Sequence, residues 1–291
     1  MKKIGRKEFL LATSGILFGA IGLKELLKDK RGEGKIMQKL PVFFVGHGSP
    51  MNALGPNPLA DTWAESTKDF PEPKAILSIS AHWFTKGTYV TSNQFPPTIH
   101  DFYGFPQELF DVQYSAPGDP KLAEELSRSK DAQVIQDDSW GLDHGTWSVL
   151  RNMYPKANIP VVQLSLDATK SGEWHYEFAK SLSKLREQGV LVLGSGDLVH
   201  NLRLYDWKNQ DKAHDWALDA NETFKDLIQK RDWKSLANYQ KLGTAVQIAI
   251  PTPEHYFPML YALALADGKE EIRFYNDIIQ SSVSLTSMKI V

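Results

Sequence analysis

Three observations predict an α/β fold: short β-branched runs alternate with longer amphipathic ones, strand and helix periods take turns along the chain, and 291 residues contain no internal repeat. A single domain over residues 40–291 is expected, with a mixed, mostly parallel central sheet flanked by helices. A functional site in such a fold belongs at the C-terminal ends of the strands, where loops from several strands converge.

The elements justify this in order. Residues 1–39 differ from the rest. Lys2, Lys3, Arg6 and Lys7 precede an apolar stretch from Phe9 to Leu23, and a charged segment follows. That is the layout of a secretory signal or short anchor. It predicts export or membrane anchoring in a periplasm, with membrane association through residues 9–23; a functional start at Met37 would instead leave the protein cytoplasmic. At 15 residues the apolar run is short of the roughly 20 a spanning helix needs.

Strands are predicted at 41–46 (PVFFVG), 75–80 (AILSIS), 88–92 (TYVTS), 159–166 (IPVVQLSL), 189–195 (GVLVLGS) and 244–250 (TAVQIAI). Helices are predicted at 58–70, 119–130, 146–154, 172–189, 211–230 and 254–268, the last apolar enough to be buried. The Pro- and aromatic-rich stretch 93–110 reads as a long loop or lid.

Composition narrows the chemistry. With 33 basic against 35 acidic residues, nothing in the charge balance calls for a nucleic-acid partner. The absence of cysteine excludes thiolate metal sites, cysteine nucleophiles and disulfides, so a metal would be held by His, Asp or Glu. Ser195 in "GSG" lacks the G-x-S-x-G spacing of a serine hydrolase.

Four of the eight histidines follow predicted strands: His47 after the first, His82 after the second, His200 after the fifth and His255 after the sixth. Gly46, Gly48, Gly194 and Gly196 let the backbone turn there. A lone histidine at a strand end is more often a hydrogen-bonded structural residue than a ligand. Four in a chain without cysteine point to one shared metal pocket. His100 and His144 fall in aromatic loops, and His175 and His214 fall on helical patterns with charged neighbours, where solvent exposure is expected.

The motifs GHGSPMNAL (46–54), SAHWFT (80–85), PPTIHDFYGFP (96–106), WGLDHGTW (140–147), GSGDLVHNL (194–202) and IPTPEHYFPMLY (250–261) occur together and in order. In this the chain resembles the class III extradiol ring-cleavage dioxygenases, in the DOPA 4,5-dioxygenase-like branch, from about Pro41 to the C-terminus. The resemblance implies insertion of both atoms of O2 into a catechol-type ring. It implies His47, His82 and His255 as metal ligands. His200 is implied as the acid/base, or as a fourth ligand when no substrate is bound, and His144 as a pocket histidine that hydrogen-bonds substrate or oxygen. Trp83, Tyr103 and Phe105 are expected walls for the aromatic ring. Better-known members of the wider superfamily use two histidines and a carboxylate; here His255 stands at the third position, with Glu254 beside it.

Three neutral imidazoles suit Zn2+ as well as Fe2+, but zinc has no accessible redox step, so oxygenase turnover implies Fe2+. Two rival readings stay open on sequence grounds: a zinc-dependent hydrolase, and a non-catalytic metal or phenolic-ligand binding protein. Nothing in the sequence sets the oligomeric state.

Overall fold

The computed structural model describes residues 39–129 and 133–291. The segment read from sequence as a signal or anchor lies outside the described residues. Among those described, no helix is long and apolar enough to cross a membrane.

In chain order the structure runs β1 (Val42–Gly46), α1 (Pro58–Ser66), β2 (Ala75–Thr85), β3 (Thr88–Thr91), α2 (Gln107–Phe110), α3 (Pro120–Ser127), β4 (Val134–Asp137), α4 (His144–Met153), β5 (Val161–Asp167), α5 (Gly172–Lys180), β6 (Val190–Gly196), α6 (Asp215–Gln229), α7 (Trp233–Ala237), α8 (Thr244–Ala249), α9 (Phe257–Ala264) and β7 to β10 (Ile272–Tyr275, Ile279–Gln280, Val283–Ser284 and Ser287–Ile290). Eight strands form one sheet in the order β4-β3-β5-β2-β6-β1-β10-β7, and β8 pairs with β9 apart from it. The inner strands β5, β2, β6 and β1 are parallel, whereas β10 runs antiparallel to β1 and β3 antiparallel to β5. The sheet is therefore mixed and mostly parallel at its centre, as the sequence predicts.

The inner strands are mostly apolar because helices cover both faces, with small or hydrogen-bonded polar residues such as Ser78, Gln163 and Ser195 buried among them. Every residue of β1, β5 and β6 is buried. Alternate side chains divide between two cores: Phe44, Leu77, Ile79 and Val192 pack with Phe257 and Leu260 of α9 on one face, and Phe43, Val45, Ile76 and Leu193 pack with Trp63 and Trp147 on the other. Helix starts are capped by short polar side chains. Asn57 accepts from Leu59 N, Asp119 from Lys121 N and Leu122 N, Asp143 from Thr146 N, and Ser171 from Trp174 N.

Two sequence readings need correction. The run TAVQIAI is not a sixth strand but helix α8, in which Val246 and Ala249 are buried and Gln247 is exposed. That spacing of three suits a helix better than the alternation a strand requires. The C-terminal strands β7 to β10 were not anticipated, and neither was β4, a short edge strand with Ile135 and Gln136 exposed. The stretch 93–110 is a loop that ends in the short helix α2, and hydrogen bonds pin it. Ile99 N donates to Leu142 O at 2.7 Å, Leu142 N to Pro97 O at 2.8 Å, and Trp147 Nε1 to Ile99 O at 2.8 Å.

Candidate metal centre

β1 ends at Gly46 and delivers His47, whose backbone is held by His47 N donating to Gly196 O (3.1 Å) and Asn52 Nδ2 donating to His47 O (3.0 Å). The His47 ring is buried, and its Nδ1 lies 3.0 Å from Ser195 Oγ. Ser195 spends its only hydroxyl proton on Gly145 O at 2.5 Å, so toward His47 it accepts. The proton of His47 is thereby fixed on Nδ1, and Nε2 is left as a lone pair facing the pocket.

His82 lies within β2, in a stretch where the register against β5 shifts between Ile79 and Phe84. Such irregularities re-aim side chains. Its Nδ1 stands 3.1 Å from Asp101 Oδ2, a negative neighbour that favours a proton on Nδ1, and its Nε2 points at His47 Nε2 across 3.1 Å.

His255 follows α8, not a strand, and sits in the turn before α9. Its carbonyl accepts from Asp197 N at 2.9 Å, and its Nδ1 lies 3.4 Å from Glu254 Oε1. Gly196 makes that approach feasible: a Cβ there would stand 2.1 Å from His255 O. His200 stacks flat on His255, with ring centroids 3.5 Å apart and planes 9° apart.

Ligand atoms of His47, His82 and His255 lie within 4.8 Å of one another. Two lone pairs 3.1 Å apart repel unless a cation lies between them. Imidazole nitrogens placed tetrahedrally about 2.1 Å from an ion would stand roughly 3.4 Å apart, so the donor set fits a divalent metal. Nearby, Asp197 is buried with Oδ1 accepting from Gly48 N at 3.1 Å, while Oδ2 lies 3.8 Å from His47 Nε2 without a protein hydrogen bond. Burial pushes the Asp197 carboxyl well above the usual range, so it would ionise, and add negative charge at the cluster, only with a cation beside it.

Electrostatics agree. Burial, then the neighbouring imidazoles, push His47 and His255 well below the ordinary histidine range. The same causes put His144 at about 4 and His200 at about 3, with burial again the largest. These imidazoles are neutral at neutral pH and free to act as ligands or proton acceptors.

The remaining expected residues divide. His144 is not in a loop but opens α4, buried, with its ring centroid 3.8 Å from that of His82. Trp83 is 4% exposed and stacks on Trp140 at 5.5 Å, while Tyr103 is 92% exposed. Phe105 touches Phe102, and Phe102, which the sequence reading passed over, takes the inward place beside His144 at 5.6 Å. His175 is not solvated as expected: it is wholly buried between Tyr261 Oη (3.0 Å) and Asp167 O (3.1 Å). His214 is half-buried at the start of α6. Asp101, Ser195 and Asp197 were also missed, although each lies within a quoted motif, a few residues from a histidine already singled out or next to one.

Residues 52–286 match the family described as the catalytic LigB subunit of aromatic ring-opening dioxygenase. The chain belongs to this family. Curated relatives include proteins named 4,5-DOPA dioxygenase extradiol from Escherichia coli K12, 43% identical over 260 residues that cover 87% of this chain and 95% of the relative. One from Mirabilis jalapa is 35% identical and covers 77% and 86%. The crystal structure of an uncharacterized Escherichia coli K12 protein superposes with a TM-score of 0.76 at 38% identity, covering 87% of this chain and all of that one. The protein is thus an oxidoreductase of the extradiol ring-cleavage class, and membership implies a divalent metal, O2 and a small-molecule substrate.

Proposed function

We propose that the protein opens the ring of a catechol-type, DOPA-like substrate at a single Fe2+ held by His47, His82 and His255. The observation that carries this reading is the convergence of one ring nitrogen from each of His47, His82 and His255, with Nε2 of His47 and His82 facing each other across 3.1 Å and the Nδ1 atoms of the three rings beside Ser195, Asp101 and Glu254. When bound, ferrous iron supplies the electrons that let triplet O2 react with a closed-shell diphenol, which zinc cannot do.

The chain's own groups supply the rest. His82, His200 and Asp101 form the partly exposed side of the cluster, so substrate enters there, while buried His47, His144 and His255 close the far side against water. Burial keeps His200 neutral, and the negative charge of a bound catecholate beside it would raise its proton affinity, so that it accepts a proton from the second hydroxyl and returns it as the ring opens. His144 keeps its Nδ1 toward Asp101 and turns Nε2 to the substrate, where it accepts from a hydroxyl or, once protonated, donates to developing charge. Phe102 offers a ring for the aromatic substrate to pack against. The basic-then-apolar residues 1–39 support export or anchoring, which cell fractionation of the full chain tests.

The deciding experiment loads metal-free protein anaerobically with Fe2+ or Zn2+, then admits air and DOPA. Growth of yellow semialdehyde absorbance in the iron sample alone is expected. Equal turnover with zinc, or turnover without O2, refutes the oxygenase reading in favour of a hydrolase. Tight metal binding with no turnover of any catechol points to a binding protein.

A further inference from the structure

We infer that Asp101 is a positioning residue that sets the ring orientation and tautomer of two histidines at once, the metal ligand His82 and the substrate-facing His144. The inference rests on the roles proposed above for those two.

Asp101 offers one oxygen to each ring. Oδ2 stands 3.1 Å from His82 Nδ1, and Oδ1 stands 3.1 Å from His144 Nδ1. His144 Nδ1 has no aligned hydrogen bond and faces Asp101 as a charge contact; a carboxylate oxygen that close repels a ring lone pair and favours a proton, so both imidazoles carry N–H toward Asp101 and present Nε2 elsewhere. For His82 the other direction is His47 Nε2. One carboxylate therefore fixes a ligand lone pair and a proton-accepting lone pair together, on rings whose centroids are 3.8 Å apart.

The carboxylate is itself held rigidly. Oδ1 also accepts the backbone N–H of His144 at 2.9 Å, at the N-terminus of the ten-residue helix α4, where negative charge is favoured. The hydrogen bonds of Ile99, Leu142 and Trp147, together with Tyr114 N donating to Thr98 Oγ1 at 2.9 Å, pin the segment that carries it. Gly141 lets the segment approach, since a Cβ there would meet Pro97 O at 2.0 Å. The neighbouring carboxylate cannot take over this role, because Asp143 is committed to Thr146 N and Gln163 Nε2.

The test uses the full chain with 15N-labelled histidine, zinc-free and zinc-loaded, and long-range 1H–15N spectra that tell Nδ1–H from Nε2–H. In the wild type, His82 and His144 are expected to carry the proton on Nδ1. Asp101→Asn turns an N–H donor toward one of the rings, and at least one should switch tautomer. In that variant, zinc affinity and kcat on DOPA with iron should each fall about 10- to 100-fold with KM within threefold, and Asp101→Glu should recover part of the loss. Wild-type rings with the proton on Nε2 overturn the inference whether or not any variant folds. So do unchanged tautomers and twofold-or-smaller losses in Asp101→Asn, as does a second zinc per chain that this variant loses, which would make Asp101 a ligand. Protein that opens no catechol yet keeps both Nδ1 protons defeats the substrate proposal and supports this one.

Discussion

His175 makes the protein's stability depend on pH in a way that can be isolated. The ring is buried, and that burial, against the smaller opposing effect of the Asp167 carbonyl, holds its pKa at about 4. The unfolded chain titrates it near 6.5. The folded value is depressed, so above pH 6.5 both states are neutral and stability is full. As the pH falls the unfolded state takes up the proton first and stability drains away, levelling off below about pH 4. Linkage between about 4 and 6.5 gives a loss of about 3 kcal/mol in all and about 2 kcal/mol by pH 5. His175→Gln keeps an N–H for Asp167 O and an oxygen for Tyr261 Oη but cannot titrate. Urea unfolding of both proteins at pH 7.5 and pH 5 should show the wild type losing about 2 kcal/mol more than the variant, because the site histidines contribute equally to both. Equal losses would refute the assignment of a neutral, desolvated His175.

Three further outcomes are expected. Ser195→Ala removes the acceptor that orients His47 and should lower zinc affinity about 10- to 100-fold, read by competition with a chelator. Glu270→Ala strips the carboxylate from Arg186, a buried guanidinium that also donates to Leu40 O and Leu265 O at 2.7 Å, and should cost about 3–5 kcal/mol in urea unfolding. Gly196→Ala drives a Cβ into the carbonyl of His255 and should lower the metal bound per soluble chain, with a destabilisation of about 1–3 kcal/mol seen as a fall in Tm.

The sheet's interior was legible because β1, β2, β5 and β6 are largely buried and so read as short runs rich in aliphatic and β-branched residues. β4 and β7 sit at the sheet's edges with exposed residues, and β8 and β9 are two residues each, too short for any period to register. TAVQIAI misled because valine and isoleucine favour strands locally, while contact with α6 and the core decides otherwise. Histidines at strand ends announced the site. The carboxylates did not, since Asp101 and Asp197 reach the cluster only through tertiary approach, from a pinned loop and from the turn after β6.

The pairing of β10 with β1 has a consequence for biosynthesis. His47 leaves β1 beside Gly46, whose N–H is satisfied by Ser287 Oγ at 3.0 Å, 241 positions later. A nascent polypeptide still lacking residues 283–290 has the histidines at 47, 82, 200 and 255 but an open seam along its first strand. Metallation of a fully shaped pocket therefore has to wait until residues 283–290 have been made and have joined the sheet, and closure across so long a separation is intrinsically slow.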